Sequence, residues 1–244
     1  IHIDRQRMKK TIVTLIAEYK QSQTMKAFGL TQKPLIGNVP NEMQELTVPV
    51  PAKNETEVLV KIMASTLHVD DITLAQGTAL GRFLGPKKIS TENPYVMGSS
   101  FSGVIVDKGE RVTEFKVGDE VIGIPNKTGE HDSWATYRCL DKKDIRLKPI
   151  ELSHQEAAAI ILAGCVAYGM ILYSNVKKGD NCLILGASGG IGSVVAQMLK
   201  AKGAVVTSLC STRNIDAVKS NGADFIIDYQ KNKFSEKLVA QNKQ

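Results

Sequence analysis

The stretch that decides the fold runs from Asn181 to Arg213 and reads NCLILGASGGIGSVVAQMLKAKGAVVTSLCSTR. It opens on Cys182-Leu183-Ile184-Leu185, an apolar run short and β-rich enough for a strand buried on both faces. The turn Gly186-Ala187-Ser188-Gly189-Gly190-Ile191-Gly192 follows at once. Ile191, Val194, Val195, Met198 and Leu199 then recur at helical spacing, and Lys202-Gly203 offers a cation and a C′ glycine to stop the helix. Ala204 to Leu209 is a second β-branched run, and together the pieces make a βαβ unit of right-handed crossover.

Such a turn has a chemistry of its own. Gly189 lets backbone N–H groups approach a pyrophosphate, Gly192 lets the helix pack close to the strand, and the helix start offers unpaired donors to phosphates. The spacing Ala187-x-Gly189-x-x-Gly192 gains its weight from lying between a strand and a helix. Ala187, Ser188, Gly189, Gly190, Ile191 and Gly192 are therefore the expected cofactor-binding positions; the alternative is a merely tight turn. After the second strand an NAD site places an acidic residue for the ribose hydroxyls. This chain has Cys210-Ser211-Thr212-Arg213 there, and a hydroxyl with a guanidinium suits a 2′-phosphate. NADPH is thus preferred over NADH, unless Arg213 is simply a solvated surface residue.

Composition bounds the rest. The 244 residues suffice for one or two domains with real cores. The net charge of +6 comes from scattered lysines, with no aromatic-plus-basic pattern of a nucleic-acid surface. No apolar run is read as reaching the length of a membrane span. Cys139, Cys165, Cys182 and Cys210 form no CxxC pair, so neither a zinc knot nor a disulfide framework is expected. Reduced thiols fit a cytoplasmic location, with the mitochondrial matrix as alternative. Arg5, Arg7, Lys9 and Lys10 resemble a presequence, whereas Asp4 and Glu18 do not.

Three regions follow. Residues 1–24 read as an N-terminal extension, helical or disordered. Residues 25–149 are β-rich with frequent turns: Met25 to Leu30, Val58 to Ile62, Gly103 to Val106, Val121 to Gly123 and Trp134 to Leu140 are expected strands of a small barrel. Residues 150–244 open with a capping box, Ser153 and Glu156. One helix is expected over Ala157 to Ala163 and another over Gly164 to Tyr173, then the βαβ unit. A helix at Ile215, a third strand from Asp224 to Tyr229, and a helix from Phe234 to Ala240 complete the reading.

Together these pieces resemble the zinc-free medium-chain dehydrogenase/reductase family, in its branch of NADPH-dependent quinone oxidoreductases related to zeta-crystallin. The resemblance is carried by Val58 to Gly77, Asn93 to Gly123 and Leu152 to Tyr229. It implies an α/β protein: a GroES-like β-rich substrate domain followed by a Rossmann domain, a doubly wound parallel sheet, with catalysis in the cleft between them. Zinc-using relatives carry Gly-His-Glu where this chain has Gly98-Ser99-Ser100, and serines are poor zinc ligands, so no metal is expected. His68, His131 and His154 are left as core, surface or proton-handling residues.

The branch's first cleft segment looks like Asn-x-x-Asp-x-Tyr-x-Arg-x-Gly; here it is His68 to Gly77, in which Asp71 and Gly77 match while His68, Thr73 and Ala75 depart. His68 is the candidate proton donor, because imidazole titrates near neutrality, with a hydrogen-bonded core histidine as the alternative. Thr73 is a candidate to orient a carbonyl, and Tyr95 is read as packing. Val166 replaces the threonine that relatives place near the nicotinamide, and Tyr229 stands where they place a tyrosine beside the 2′-phosphate. Arg82, Lys87 and Lys88 form a loop that would attract an anionic substrate or be merely solvated.

A complete Rossmann domain continues into a second βαβ half. The present sequence stops after the third strand, leaving Cys182 to Leu185 as an expected sheet edge. The reading is an incomplete copy of a longer, homodimeric enzyme, or a chain whose edge something else covers. The expected activity is hydride transfer from NADPH to a quinone, enone or other activated carbonyl compound. An enoyl-thioester reductase and an inactive NADPH-binding relative stand as alternatives.

Overall fold

In the computed structural model the described residues are 5–32, 43–79, 83, 85, 88–124 and 132–231, with side chains described from residue 13 onward. The expected helix from Phe234 to Ala240, and with it His131, Arg82 and Lys87, lie outside the described residues. Two compact units divide the chain, residues 1–161 and 162–244. The division falls after Ile161, inside a helix, rather than at Pro149 where the composition changes.

The first unit is built on antiparallel strands. Strand β1 (Thr24–Leu30) lies between β2 (Met43–Pro49) and β4 (Tyr95–Val96). A five-stranded sheet runs in the order β7 (Tyr137–Asp141), β3 (Glu57–Ser65), β5 (Phe101–Lys108), β6 (Glu120–Gly123), β8 (Ile145–Leu147). The central strands are apolar on both faces, and the two-residue period sorts them. Val58 and Val60 join Phe101, Ile105, Val121 and Leu140 on one side. Leu59, Val104 and Val106 face the other, where Tyr137 and Leu15 cover them.

That second face explains the N-terminal extension. Helix α1 (Arg5–Gln21) supplies Leu15 to the cluster, and Tyr19 packs beside it while its hydroxyl donates to Asp107 Oδ2 at 3.1 Å. Glu18 pairs with Lys61 of β3. The extension is therefore a helix docked on the sheet; the polar sequence around Leu15 hides the few apolar residues that dock it.

The second unit has the expected βαβ topology, but its first strand is not buried on both faces: only Ile184 is buried, and Leu183 and Leu185 are exposed on a face that nothing covers among the described residues. Strands β9 (Asn181–Leu185), β10 (Val205–Cys210) and β11 (Phe225–Asp228) pair in parallel in the order β11-β10-β9, which leaves β9 with no partner strand on its outer side among the described residues. Helix α4 (Gly190–Ala201) crosses between β9 and β10 and ends where Lys202 caps it and Gly203 takes a φ of +79°. A single turn of 3₁₀ helix (Thr212–Asn214) leads into helix α5 (Ile215–Ser220). The core holds Ile184, Ala187, Ala196, Leu199, Val206, Cys210, Val218 and Ile227.

One expectation is corrected in length. Instead of two helices there is one, α3 (His154–Ser174), which runs unbroken through Gly164 and Gly169. Its start is the expected capping box: Ser153 N donates to Glu156 Oε2 at 2.8 Å and Glu156 N to Ser153 Oγ at 3.2 Å. As one helix of 21 residues whose most apolar 18-residue window has a mean hydropathy of 1.9, it is long and apolar enough to cross a membrane by length and composition. Dividing the run at Gly164 had hidden this. A core helix of a water-soluble domain meets the same two criteria, but only 28% of this helix's apolar window is buried: Ala163, Ala167 and Ile171, spaced four apart, are covered, while Tyr168, Met170, Leu172 and Tyr173 are exposed.

Candidate nucleotide and proton-transfer site

The carboxyl ends of the three parallel strands gather most of the expected cofactor residues. Leu185 pairs with Leu209 and Cys210 with Asp228, so the turn after β9, the segment Ser211 to Arg213 and Tyr229 leave the sheet on one edge. In open α/β sheets this is where ligands bind. Gly186 has a φ of +76°, a conformation that an L side chain strains to adopt, and its carbonyl closes the turn by accepting from Gly189 N at 3.0 Å. A Cβ on Gly192 would meet that same carbonyl oxygen at 2.2 Å. Nothing lies within 4 Å of the position a Cβ would take on Gly190. Gly189 is the N-cap of α4, so Gly190, Ile191 and Gly192 carry the first amides of the helix, which by geometry have no carbonyl one turn back. An open cradle of amides at a helix start fits a pyrophosphate.

The site residues divide by burial. Ser188, Gly189, Gly190 and Ile191 are exposed. Ala187 is fully buried, its side chain packed with Ile184 and Leu199, so only its backbone can face a ligand. Arg213 and Tyr229 are exposed, and Tyr229 N donates to Cys210 O at 3.2 Å. Ser211 is 5% exposed and its Oγ accepts from Asn214 Nδ2 at 3.2 Å. The same amide donates to Ser188 Oγ at 3.1 Å. Asn214 was missed in the sequence because nothing in the spacing of 188, 211 and 214 says that the first meets the last.

A carboxylate does stand nearby, on the neighbouring strand. Asp228 is buried, its Oδ2 takes the Thr212 hydroxyl at 2.6 Å, and its Oδ1 takes Gln230 N at 3.0 Å. The Thr212 hydroxyl holds this carboxyl below the usual range. Oδ2 thus ties β11 to the segment after β10, and Oδ1 closes the turn that follows β11.

His68 and Thr73 belong to the first unit, at the start and in the body of helix α2 (Val69–Ala75). Asp71, fully buried, accepts from His68 N at 2.8 Å and from Gly98 N at 3.2 Å, joining the helix start to the Gly98-Ser99-Ser100 segment. That segment brings Ser100 Oγ to 3.0 Å from His68 Nε2, and Ser100 Oγ also meets Thr66 Oγ1. Ser65 Oγ donates to Ser100 O at 2.9 Å, and Trp134 Nε1 to Thr66 O at 2.9 Å. A half-buried imidazole therefore ends a chain of hydroxyls. Thr73 fares differently: its Oγ1 donates to Val69 O at 2.7 Å, which engages the proton a carbonyl would need. Tyr95 packs with Leu30, Leu74 and Met97, and burial pushes its phenol pKa up. Among the described residues no group of three or more His, Cys, Asp or Glu is placed to hold a metal ion.

A GroES-like β unit and a βαβ unit with an amide cradle define a class, that of the medium-chain dehydrogenases and reductases. Residues 54–167 match the alcohol dehydrogenase GroES-like domain. The chain is similar to members of this family, quinone oxidoreductases among them. It is 35% identical over 219 residues to the 2-methylene-furan-3-one reductase of Solanum lycopersicum, covering 87% of this chain and 54% of that one. It is 33% identical over 195 residues to the mitochondrial NAD(P)H oxidoreductase RTN4IP1 of Mus musculus, covering 75% and 48%. Among solved structures, the quinone oxidoreductase from Coxiella burnetii superposes with a TM-score of 0.77 at 29% identity, covering 89% of this chain and 65% of that one. The chain spans about half the length of the curated relatives it matches.

Proposed function

We propose that this chain is the substrate unit and first nucleotide-binding half of an NADPH-dependent reductase of quinones, enones or related activated carbonyl compounds. The observation that carries the reading is the turn in which the Gly186 carbonyl, the Gly192 Cα and the first amides of α4 leave room for a pyrophosphate and for nothing larger than hydrogen at position 192. A bound dihydronicotinamide supplies hydride to an electron-poor carbon.

The chain's own residues do the rest. The α4 amides hold the pyrophosphate. Arg213 and the Ser211 hydroxyl offer donors to a 2′-phosphate, with Tyr229 beside them, while the carboxylate of Asp228 at that edge is occupied by Thr212 and Gln230. This favours NADPH over NADH. His68 holds a proton at the end of the Ser100–Thr66 hydroxyl chain, for delivery to the reduced substrate or replacement from solvent. The place of work is a cytoplasmic or mitochondrial-matrix compartment, the latter in keeping with the mitochondrial relative.

The test is NADPH and NADH oxidation followed optically with a quinone, an alkylidene furanone and a crotonyl thioester. Faster turnover of quinone or enone with NADPH supports the proposal. Preference for the thioester substitutes an enoyl-thioester reductase, and a thermal shift on NADPH addition without turnover of any acceptor substitutes an inactive binding relative.

A further inference from the structure

The side chain of Asn214 hydrogen-bonds to both the turn after β9 and the segment after β10. Its Nδ2 donates to Ser188 Oγ at 3.1 Å and to Ser211 Oγ at 3.2 Å. An amide nitrogen has two hydrogens and no lone pair to give, so both serine oxygens accept. A hydroxyl that accepts keeps its own hydrogen for another partner. Among the described residues neither Ser188 nor Ser211 donates that hydrogen to a protein acceptor. Two hydroxyl donors are therefore left on the edge that the α4 amides and Arg213 share.

We infer that Asn214 is a positioning residue that sets Ser188 and Ser211 as hydrogen-bond donors and thereby favours a nucleotide with a 2′-phosphate. This rests on the nucleotide reading above and deepens it. Anions accept and do not donate, so a site for them is improved by any neighbour that fixes a hydroxyl in its donating sense. An isosteric carboxylate would do the opposite. In Asn214→Asp the oxygen that replaces Nδ2 accepts from both serines, whose lone pairs then face the ligand beside an added negative charge.

Calorimetry on the 244-residue chain with NADPH, NADH and adenosine 2′,5′-bisphosphate tests this, with melting curves to verify folding. The wild type is expected to bind NADPH more tightly than NADH. Asn214→Ala lowers that preference a few-fold, and Asn214→Asp by about tenfold or more, the loss of a hydrogen bond to a charged group. Because Asn214 acts through Ser188 and Ser211, the triple variant N214A/S188A/S211A is expected to lose no more affinity for the bisphosphate than S188A/S211A. Additive losses, or an unchanged preference in both Asn214 variants, overturn the inference while leaving the nucleotide site in place. A wild-type chain that binds none of the three ligands overturns the nucleotide reading first and the role of Asn214 with it.

Discussion

Replacing Gly192 by alanine puts a methyl group where its Cβ would stand 2.2 Å from Gly186 O, 2.9 Å from Gly186 C and 3.0 Å from Ala187 Cα. All three atoms are backbone, so none can swing aside as a side-chain tip would. The carbonyl has to retreat by about 1 Å, an overpacking that costs about 1–3 kcal/mol. That oxygen also closes the turn by accepting from Gly189 N at 3.0 Å, so its retreat opens the phosphate turn itself. Each hydrogen bond lost to a charged phosphate is worth about 1.5–3 kcal/mol, about tenfold or more in Kd. G192A is thus expected to melt several degrees lower and to bind NADPH at least about tenfold more weakly, by calorimetry. Gly190→Ala is the control, because open space surrounds that position. It is expected to keep or slightly raise the melting temperature, since alanine in a compatible helical position stabilises by about 0.4–1 kcal/mol. G192A with wild-type stability and affinity refutes the account of the turn. G190A destabilised as much as G192A refutes the claim that the specific clash matters.

Arg213→Gln is expected to weaken NADPH about tenfold and NADH by less than about threefold, because only the former offers a phosphate to the guanidinium. Equal weakening of both would remove Arg213 from any role in cofactor choice. Leu15→Ala should cost the first unit about 2–3 kcal/mol in denaturant unfolding, as a buried leucine that seals the outer face of the sheet, and a loss under about 0.5 kcal/mol would mean that α1 is not docked in solution. Asp224 accepts from Lys200 Nζ at 2.7 Å and from Val206 N at 2.8 Å, and the Lys200 ammonium first, then that amide, hold its carboxyl below the ordinary value. A depressed folded-state pKa gives stability that is present above the unfolded pKa of about 3.9 and disappears as pH falls through the lower folded value. Asp224→Asn should therefore lower stability at neutral pH and flatten the acid side of the stability curve; an unchanged acid limb would contradict this.

Periodicity made the second unit legible. Three short apolar runs and one helix of period 3.6 have a single economical arrangement, and β9, α4, β10 and β11 follow it, down to the positive φ at Gly203. The first unit was legible in its apolar strands, less so at its edges. Strand β2 reads MQELTVP, with only Leu46 buried, and pairs all along β1 through backbone bonds that no side-chain pattern announces. Helix α3 failed for a related reason. Glycine disfavours a helix interior by about 1 kcal/mol, and the reading let Gly164 end one helix. Packing around Ala163, Ala167 and Ile171 overrides a cost of that size.

The site divides along the same line. What depends on backbone geometry, the amide cradle and the ends of parallel strands, was visible because glycine spacing and strand order determine it together. What depends on contacts between distant side chains was not. His68 lies 32 residues from Ser100, yet the buried carboxylate of Asp71 holds the His68 amide and the Gly98 amide at once, and so brings imidazole and hydroxyl within 3.0 Å. Asp71 was recognised only as a match to a motif; its physical task is to join two segments. Asn214 likewise joins Ser188 to Ser211 across 26 and 3 residues. In both units a polar residue beside the candidate imidazole or the glycine turn, rather than at it, sets how the neighbouring polar atoms are held. Substitutions at Asp71 and Asn214 should accordingly disturb chemistry or nucleotide choice more than their burial alone predicts.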